Sequence, residues 1–343
     1  MRLVKKLIYP AAFLASAVFA FAQDSTKPIT MIVGYGPGGG YDAYARIIAR
    51  HMPKSMPGHP NVTVQNMPGA SSLRAANYLY NSAAKDGSVI GTFSRDIAVI
   101  GLLEQNKSIQ YDPLRFTWLG SASTYRDDAY MLWVRREALT KVDMSQSKKS
   151  TTPLVIGVTN EGGGGNDVAM FARDSLKLTS KIVAGYPDSN AIFLAMQRGE
   201  IDARFVGLSA VRTSQPEWVK SNSNVIPILQ LGRPDRHPDF PNVPMARDLI
   251  SDKDSLQLLE FLELPFTFSK PFAGPPDLPK EKADELQKAF MQTLADQNTR
   301  SDFLRVHADL SPIDGAQLRE ILTKVGSSPD HIKDKARAML NQK

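Results

Sequence analysis

Cysteine is absent from all 343 residues of this sequence, which excludes disulfide bonds, thiolate metal ligands and a cysteine nucleophile. Histidine is scarce as well, and the five histidines lie far apart, with no two at the spacing of a metal site. No apolar stretch reaches the roughly 20 residues that a membrane-spanning helix needs. We therefore expect a globular protein without a metal ion, a cofactor or a membrane-spanning helix.

The N-terminus has the three-part layout of a secretory signal peptide. Arg2, Lys5 and Lys6 form a basic start, residues 7–21 are apolar, and Ala20-Phe21-Ala22 supplies the small-x-small cleavage pattern. The sequence thus predicts a signal peptide at residues 1–22 and a periplasmic protein. An uncleaved anchor is the alternative, and the short apolar run argues against it.

The net charge of the chain is small once the signal peptide is removed. The full chain has a net charge of +6, and residues 1–22 hold three basic and no acidic residues, so the mature charge is +3. An excess this small gives no reason to expect a nucleic-acid partner. The mature chain is long enough for two domains with substantial cores.

Strand-like and helix-like segments alternate along the mature chain. The first series predicts strands at residues 30–35, 62–66, 89–93, 117–121 and 129–135, and helices at 44–52, 71–81 and 97–103. After a polar break at 145–152, the second series predicts strands at 154–159, 181–184, 203–206 and 225–231, and helices at 166–176 and 189–197. This alternation, begun twice, predicts two α/β lobes, each with a parallel sheet and helices on both of its faces.

A late apolar run, residues 264–269, predicts a strand that returns the chain to the first lobe, ahead of helices at 279–295 and 317–324. We therefore predict lobe 1 at residues 23–125 and 266–343 and lobe 2 at residues 126–265. Two crossings between the lobes form a hinge beside a cleft. Open α/β folds bind ligands in such a cleft, at the carboxyl ends of their strands.

Each predicted lobe begins with a strand and a glycine-rich loop, at residues 36–40 and 162–165. A loop of this kind before a helix presents backbone N–H groups and a positive helix end to an anion. Either loop alone is compatible with a tight turn that needs glycine. Two loops at equivalent places favour a ligand held between the lobes.

Enzyme motifs do not accompany these loops. Neither loop continues into the Gly-Lys-Ser/Thr of a phosphate-binding loop, and Tyr41 stands where the dinucleotide fingerprint has its last glycine. There is no Gly-x-Ser-x-Gly motif. Asp127 and Asp128 are adjacent, so they point in different directions in any regular element. We predict a protein that is not an enzyme, with a periplasmic α/β enzyme as an alternative.

An ordered set of short motifs resembles the tripartite tricarboxylate transporter substrate-binding proteins, the TctC or Bug type of periplasmic receptor. The motifs are Pro37-Gly38-Gly39-Gly40-Tyr41-Asp42 with Ala45-Arg46, Asn66-Met67-Pro68-Gly69-Ala70, Asp86-Gly87, Tyr186, Gly199-Glu200-Ile201-Asp202, Pro241-Asn242-Val243-Pro244 and Gly274-Pro275-Pro276. The resemblance implies a two-lobed periplasmic-binding-protein type II fold, a Venus flytrap. It also implies a monomer that captures a small carboxylate for membrane subunits of a tripartite transporter.

The resemblance also implies a set of ligand-binding residues. In the first lobe they are Tyr35, Gly38, Gly39, Tyr41, Asp42, Gly69, Ala70, Ser71 and Ser94. In the second lobe they are Asn160, Glu161, Gly165, Asn166, Asp188 and Ser189. Backbone groups and neutral donors suit a receptor that must release its ligand, so we do not expect a buried arginine clamp. We expect Asp42 to order its loop by accepting N–H groups.

Two of these residues depart from the family pattern. Glu161 would repel a second ligand carboxylate if it faced the cleft, and Tyr41 offers an aromatic face to a flat ligand. The combined expectation is a preference for a monocarboxylate. A receptor that signals to a membrane partner, rather than to a transporter, is the remaining alternative.

Overall fold

A computed structural model describes residues 27–103, 107–142, 152–159 and 164–340 of the chain. The predicted signal peptide, most of the polar break at 145–152, and the candidate residues Asn160 and Glu161 lie outside the described residues. Among the described residues, no helix is both long and apolar enough to cross a membrane.

The described chain alternates eleven strands and eleven α-helices. The strands are β1 (Ile29–Val33), β2 (Val62–Asn66), β3 (Val89–Thr92), β4 (Thr117–Ser121), β5 (Tyr130–Arg135), β6 (Leu154–Gly157), β7 (Ser180–Val183), β8 (Ala203–Gly207), β9 (Val225–Leu231), β10 (Pro271–Gly274) and β11 (Ile313–Asp314). The helices are α1 (Gly40–His51), α2 (Leu73–Asn81), α3 (Asp96–Leu103), α4 (Gly164–Asp174), α5 (Ser189–Arg198), α6 (Leu208–Ser214), α7 (Lys253–Glu263), α8 (Lys280–Ala295), α9 (Gln297–Arg305), α10 (Gly315–Gly326) and α11 (Asp330–Leu340).

The first sheet has six strands in the order β11-β4-β10-β3-β1-β2. β1 pairs in parallel with β2 and β3, and β10 is inserted antiparallel between β3 and β4. The interior strand β1 is rich in buried β-branched and apolar residues, as a strand covered on both faces must be, whereas the edge strand β2 is only partly buried. The carboxyl ends of β1 and β3 consequently lie side by side at one edge.

The second sheet has five strands in the order β7-β6-β8-β5-β9. β6 pairs in parallel with β7 and β8, whereas β5 is antiparallel to both β8 and β9. Two α/β sheets confirm the predicted fold class, but the sheets are mixed and not purely parallel as predicted, because β10 and β5 are inserted antiparallel. The carboxyl ends of β6 and β8 are neighbours, as those of β1 and β3 are in the first sheet.

The return to the first sheet differs from the prediction. Residues 264–269 do not form a strand: Leu264–Phe268 is a 3-10 helix, and the returning strand is β10. Pro265 has no N–H for a strand ladder and favours the first turn of a helix. Phe266 and Phe268 are fully buried, so the run is apolar because of where it packs and not because it is extended.

The C-terminal helices contact both halves of the molecule. α10 packs on β4 and α3, whereas α11 packs on α7 and α4. Arg337 of α11 also donates a hydrogen bond from Nε to the Leu103 carbonyl at the end of α3, over 2.7 Å. The predicted lobe boundaries stay a prediction. Within residues 266–343, α11 packs on α4, which itself packs on strands β7 and β8 of the second sheet.

One buried position in β4 accepts only glycine. Gly120 has a φ of +142°, and a Cβ atom there would come within 2.3 Å of the Ile313 carbonyl oxygen on β11. Gly326, at the end of α10, has open space around the corresponding position.

We expect Gly120→Ala to lower the free energy of unfolding by about 2–4 kcal/mol, because the substitution combines a strained backbone with a steric overlap. Gly326→Ala, the matched control, should change it by less than about 1 kcal/mol. Urea denaturation followed by circular dichroism measures both. Equal stabilities of the two variants would contradict the geometry described for β4.

Candidate functional site

A cavity of about 170 Å³ lies between the two sheets, at the carboxyl ends of strands from both. The first-sheet half of its wall consists of the loop after β1 and the turn after β3. The second-sheet half consists of the end of β6, the starts of α4 and α5, and the end of β8. This is the position that the topology predicts for a ligand.

The glycine loop after β1 is held in place by Asp42. The carboxylate of Asp42 accepts hydrogen bonds from the Gly38 N–H (2.9 Å), the Asn66 side-chain amide (2.9 Å) and Arg46 Nε (2.8 Å). Burial raises the pKa of Asp42, but these three donors outweigh it and lower the pKa overall. Gly38 adopts a φ of +82°, the conformation that requires glycine in this loop.

Two tyrosines bound the loop on its cavity side. The rings of Tyr35 and Tyr41 stack with their centroids 4.8 Å apart. The Tyr41 hydroxyl donates to the Ser269 carbonyl (3.1 Å) and accepts from the Arg95 N–H (3.0 Å), and burial raises its pKa to about 12. Tyr41 therefore ties three chain segments together and stacks on Tyr35, rather than offering both of its faces to a ligand.

Arg95 is the first of three buried cations in the cavity wall. Its side chain is only 6% exposed, and its guanidinium carbon lies 3.9 Å from the centroid of the Phe266 ring and 5.0 Å from that of Tyr130. The nearest carboxylate is Asp96, with 3.9 Å between Arg95 Nε and Asp96 Oδ1. Arg95 Nε itself donates no hydrogen bond.

Asp96 joins the two sides of the cavity. Its Oδ2 atom accepts the Ser94 hydroxyl (2.7 Å) and the backbone N–H of Gly164 (3.0 Å). Gly164 is the first residue of α4, so a carboxylate from the first half of the molecule sits at the positive end of a helix from the second half. This contact holds the two halves together across one side of the cavity.

Arg204 is the second buried cation, on β8, and is 5% exposed. Its two terminal nitrogens donate to the carbonyl (2.8 Å) and the hydroxyl (3.2 Å) of Ser189, at the start of α5, and its guanidinium lies 4.3 Å from the Phe193 ring centroid. Nε has no partner. Burial lowers the pKa of Arg204 to about 10, and Tyr130 and Asp188 offset this only in part. Within the described chain no carboxylate lies within ion-pair distance of it.

Lys270 is the third buried cation of the cavity wall. It lies immediately before β10 and is 7% exposed. Its ammonium donates to the Ser269 hydroxyl (3.0 Å) and lies 4.8 Å from the ring centroid of Tyr41. Burial, together with the nearby Arg95, lowers its pKa to about 8. Like Arg204, it has no carboxylate within ion-pair distance among the described residues.

The expectation that neutral donors alone would line the site is therefore wrong. Three buried cations face one cavity, and Asp96 is the only carboxylate paired with any of them in the described residues. A buried charge without a counter-ion costs several kcal/mol, so an anion entering this cavity would be strongly favoured.

The candidate residues predicted from the sequence fall into three groups. Those that line the cavity are Tyr35, Gly39, Tyr41, Ser94, Gly165, Asp188 and Ser189. Those that the structure places outside its wall are Gly38, Asp42, Gly69, Ala70, Ser71 and Asn166. Asn160 and Glu161 lie outside the described residues, so the expectation that Glu161 repels a second carboxylate stays a prediction.

The turn at residues 69–72 supports the site from behind. Gly69, Ala70, Ser71 and Ser72 all have positive φ, which is strained for the three that are not glycine. This turn conformation places the Ser72 hydroxyl between two strand ends. There it donates to the Gly34 carbonyl and accepts from the Ser94 N–H, each over 3.1 Å. The turn thereby fixes the ends of β1 and β3 relative to each other.

Sequence reasoning missed the three cations, although the chain carries signals for two of them. Arg204 interrupts an otherwise apolar, fully buried strand, which is a costly place for a charge without a function. Arg95 lies three residues after the end of β3, at the strand edge where ligands bind. Lys270 lies just before β10, but the sequence predicted a strand at residues 264–269 in place of β10.

Comparison with known proteins gives likenesses in structure only. No family model and no curated protein sequence matches the chain. MatC from Rhodopseudomonas palustris with bound malate is 18% identical, with a TM-score of 0.67 over 92% of this chain and 99% of that one. R. palustris Rpa4515 with adipate is 16% identical, with a TM-score of 0.70 over 91% and 98%. A TctC solute-binding protein from Polaromonas is 17% identical, with a TM-score of 0.59 over 90% and 99%.

These likenesses define the class by its architecture: the chain has the two-lobed fold of the periplasmic solute-binding proteins. Within that class it has the fold of the TctC and Bug type receptors of tripartite tricarboxylate transporters. The fold that the sequence motifs implied is confirmed.

We expect Asp42→Ala to weaken ligand binding at the cavity and to lower the free energy of unfolding by about 1–3 kcal/mol, because three donors lose a shared acceptor. Arg46→Ala is the control, since it removes the half-exposed ion pair and leaves the Gly38 bond intact. It should cost less than about 1 kcal/mol.

Hydrogen exchange at the Gly38 amide separates the two variants. Exchange should become faster in Asp42→Ala and stay slow in Arg46→Ala. Slow exchange at Gly38 in both variants would show that Asp42 does not order the loop.

Proposed function

We propose that this protein is a periplasmic receptor that captures a small organic carboxylate in the cavity between its two sheets. The observation that carries the proposal is the group of three buried cations in the cavity wall, with Asp96 as their one paired carboxylate among the described residues. An anionic ligand would supply the missing charge, and its departure would leave the cations unpaired again.

Carboxylates fit this wall better than other anions of similar size. Lys270 has N–H groups beyond the one that Ser269 accepts, and Arg204 Nε is without a partner, so donors remain for planar oxygen pairs. The structures of MatC and Rpa4515 contain malate and adipate, respectively. Two cations without a carboxylate partner among the described residues would suit a ligand with one or two carboxylates.

Capture without chemistry is the role we assign to the site. Its cations are placed to bind an anion. The Tyr41 hydroxyl is held in hydrogen bonds with Ser269 and Arg95, and burial raises the pKa values of Tyr35 and Tyr41. The described residues contain no cluster of three or more potential metal ligands. We further propose that the ligand passes to the membrane subunits of a tripartite transporter, and that the receptor acts as a monomer.

Binding also requires that the cavity be opened. The contact between Asp96 and Gly164 and the packing of α11 on α4 and α7 describe a closed arrangement. We propose that the halves separate about the segments that lead from β4 to β5 and into β10, the two crossings beside the cavity.

The test of the function is a panel of anions on the mature protein. Adipate, malate, succinate and benzoate are compared with putrescine and with an uncharged amide by thermal shift and calorimetry. A ligand that binds only the folded state raises the melting temperature. We expect at least one carboxylate to raise the melting temperature, and neither putrescine nor the uncharged amide to raise it. If none of the anions changes the melting temperature, the proposal is contradicted.

Arg204→Met should weaken the binding of the best carboxylate by about ten- to a hundredfold, since a charge-assisted hydrogen bond to a buried ligand is lost. The ligand-free protein should keep its stability, because methionine fills the same apolar space without an unpaired charge. Arg198→Met is the control and should bind like the wild type, since Arg198 is largely exposed on α5 and pairs with Glu200. Equal affinities of all three proteins would contradict a role for Arg204.

Export predicts a defined mature N-terminus. Expressed with its full sequence in a Gram-negative host, the protein should appear in the periplasmic fraction and begin at residue 23, because signal peptidase cleaves after the small-x-small pattern that ends at Ala22. Intact mass spectrometry checks this. Retention of residues 1–22 in the membrane fraction would favour the anchor instead.

A further inference from the structure

Lys270 stands apart from the other two cations because it can lose its charge near physiological pH. Its side chain lies in the cavity wall between the rings of Tyr41, Tyr44 and Tyr125, with centroids 4.8, 5.3 and 5.7 Å from Nζ. Ser269 Oγ, at 3.0 Å, is the one hydrogen-bond acceptor that the described chain gives it. An ammonium group has three N–H donors, so this environment leaves it under-satisfied.

The charged and titratable groups around Lys270 come from four segments. They are Tyr41 and Tyr44 of α1, Arg95 and Asp96 at the start of α3, Tyr125 and Asp128 of the segment from β4 to β5, and Asp309 of the segment after α9. Arg95 opposes a charge on Lys270, and the three acids favour it.

The two acids nearest the chain crossings have partners of their own. Asp128 accepts the backbone N–H groups of Ala129 (2.8 Å) and Ser209 (3.0 Å) as well as the Ser209 hydroxyl. Asp309 accepts the hydroxyls of Ser123 and Ser311 and the N–H of Asp127. Neutral donors already bind these two carboxylates, and among the described residues no carboxylate oxygen lies within ion-pair distance of the Lys270 ammonium.

We infer that capture of an anion in this cavity requires a charged Lys270, so that whatever fraction of Lys270 is neutral in the ligand-free protein takes up a proton on binding. The proton comes from the solvent and adds to the lone pair of Nζ, and no other bond is made or broken. The inference rests on the proposed function and adds to it a coupling between ligand capture and pH.

The direction of the coupling follows from burial. Removal from water disfavours the ammonium and lowers the pKa of Lys270 to about 8 in the ligand-free protein. A carboxylate bound beside it would favour the ammonium and raise the pKa. At neutral pH little proton uptake is expected, since Lys270 is already mostly charged. Above a pH of about 8, Lys270 is mostly neutral and must be protonated when the anion binds. The affinity for the anion therefore falls as the pH rises.

Other groups in the wall do not imitate this behaviour. Burial raises the pKa of Tyr41 to about 12 and those of Tyr44 and Tyr125 well above their ordinary value, and it lowers the pKa of Arg204 only to about 10, so Arg204 loses its charge at a higher pH than Lys270. Adipate and malate are fully ionised above a pH of about 7, so the ligand releases or takes up no proton of its own in this range.

The experiment is calorimetric titration with adipate and with malate in pairs of buffers that differ in ionisation enthalpy, at pH values of about 7 and about 9. The difference between paired buffers gives the number of protons taken up. We expect a value near zero at about pH 7 and approaching one at about pH 9. The Kd should rise roughly tenfold between pH 8.5 and 9.5.

Three variants test the assignment to Lys270. Lys270→Met should bind at least roughly tenfold more weakly at neutral pH and show no proton uptake at either pH. Lys270→Arg keeps a permanent charge, so its binding should not depend on pH over this range. Lys282→Met, an exposed lysine on α8 that contacts Glu285, is the control and should retain the proton uptake of the wild type.

The outcomes separate this inference from the proposed function. Tight anion binding with no proton uptake in the wild type, or with the same uptake in Lys270→Met, overturns the inference and leaves the function standing. If neither adipate nor malate binds, the titrations use the best carboxylate of the panel. If no carboxylate of the panel binds, the function loses its support, and the inference is decided by carbon-13 NMR of the lysine ε-methylene groups, with sulfate as the probe anion.

The Lys270 resonance is identified by its loss in Lys270→Arg. A ligand-free midpoint near pH 8 that rises when sulfate is added supports the inference. A midpoint above about 10, the ordinary range of lysine, or one that sulfate leaves unmoved, overturns it.

Discussion

Buried positive charge at the junction of two sheets is the constraint on which the rest of this structure depends. Arg95, Arg204 and Lys270 come from three distant parts of the chain and reach one cavity, where water cannot solvate them fully. Removing an ion from water costs several kcal/mol, which aromatic faces and hydroxyl groups offset only in part. The fold therefore holds its binding site in a state that a negative charge would stabilise.

The surrounding framework keeps these cations in place. Tyr41 ties the glycine loop to the start of α3 and to the segment before β10, and Ser72 fixes the ends of β1 and β3. Asp96 closes the cavity against α4. Each contact joins chain segments far apart in sequence, so the cavity depends on the correct packing of the whole molecule.

The position of the site was accessible from the sequence, whereas its chemistry was not. Strand–helix alternation and two glycine loops predict a cleft at the carboxyl ends of two sheets, and Tyr35, Gly39 and Tyr41 do line the cavity there. Residues 69–71 were predicted to contact the ligand, which stays a prediction; they lie outside the cavity wall, and the neighbouring Ser72 holds the strand ends together. A one-dimensional pattern does not distinguish a loop that faces a ligand from one that braces it.

The sequence by itself determined the two α/β units, most strand and helix positions, and the glycine loop ordered by Asp42, because local periodicity and short-range hydrogen bonds specify these features. Only the tertiary structure decided that residues 264–268 form a 3-10 helix, that α11 packs on α4 and α7, and that three cations converge on the cavity. These features depend on long-range packing. The energy of a charge is set by what surrounds it in space, and neighbours in space are not neighbours in sequence.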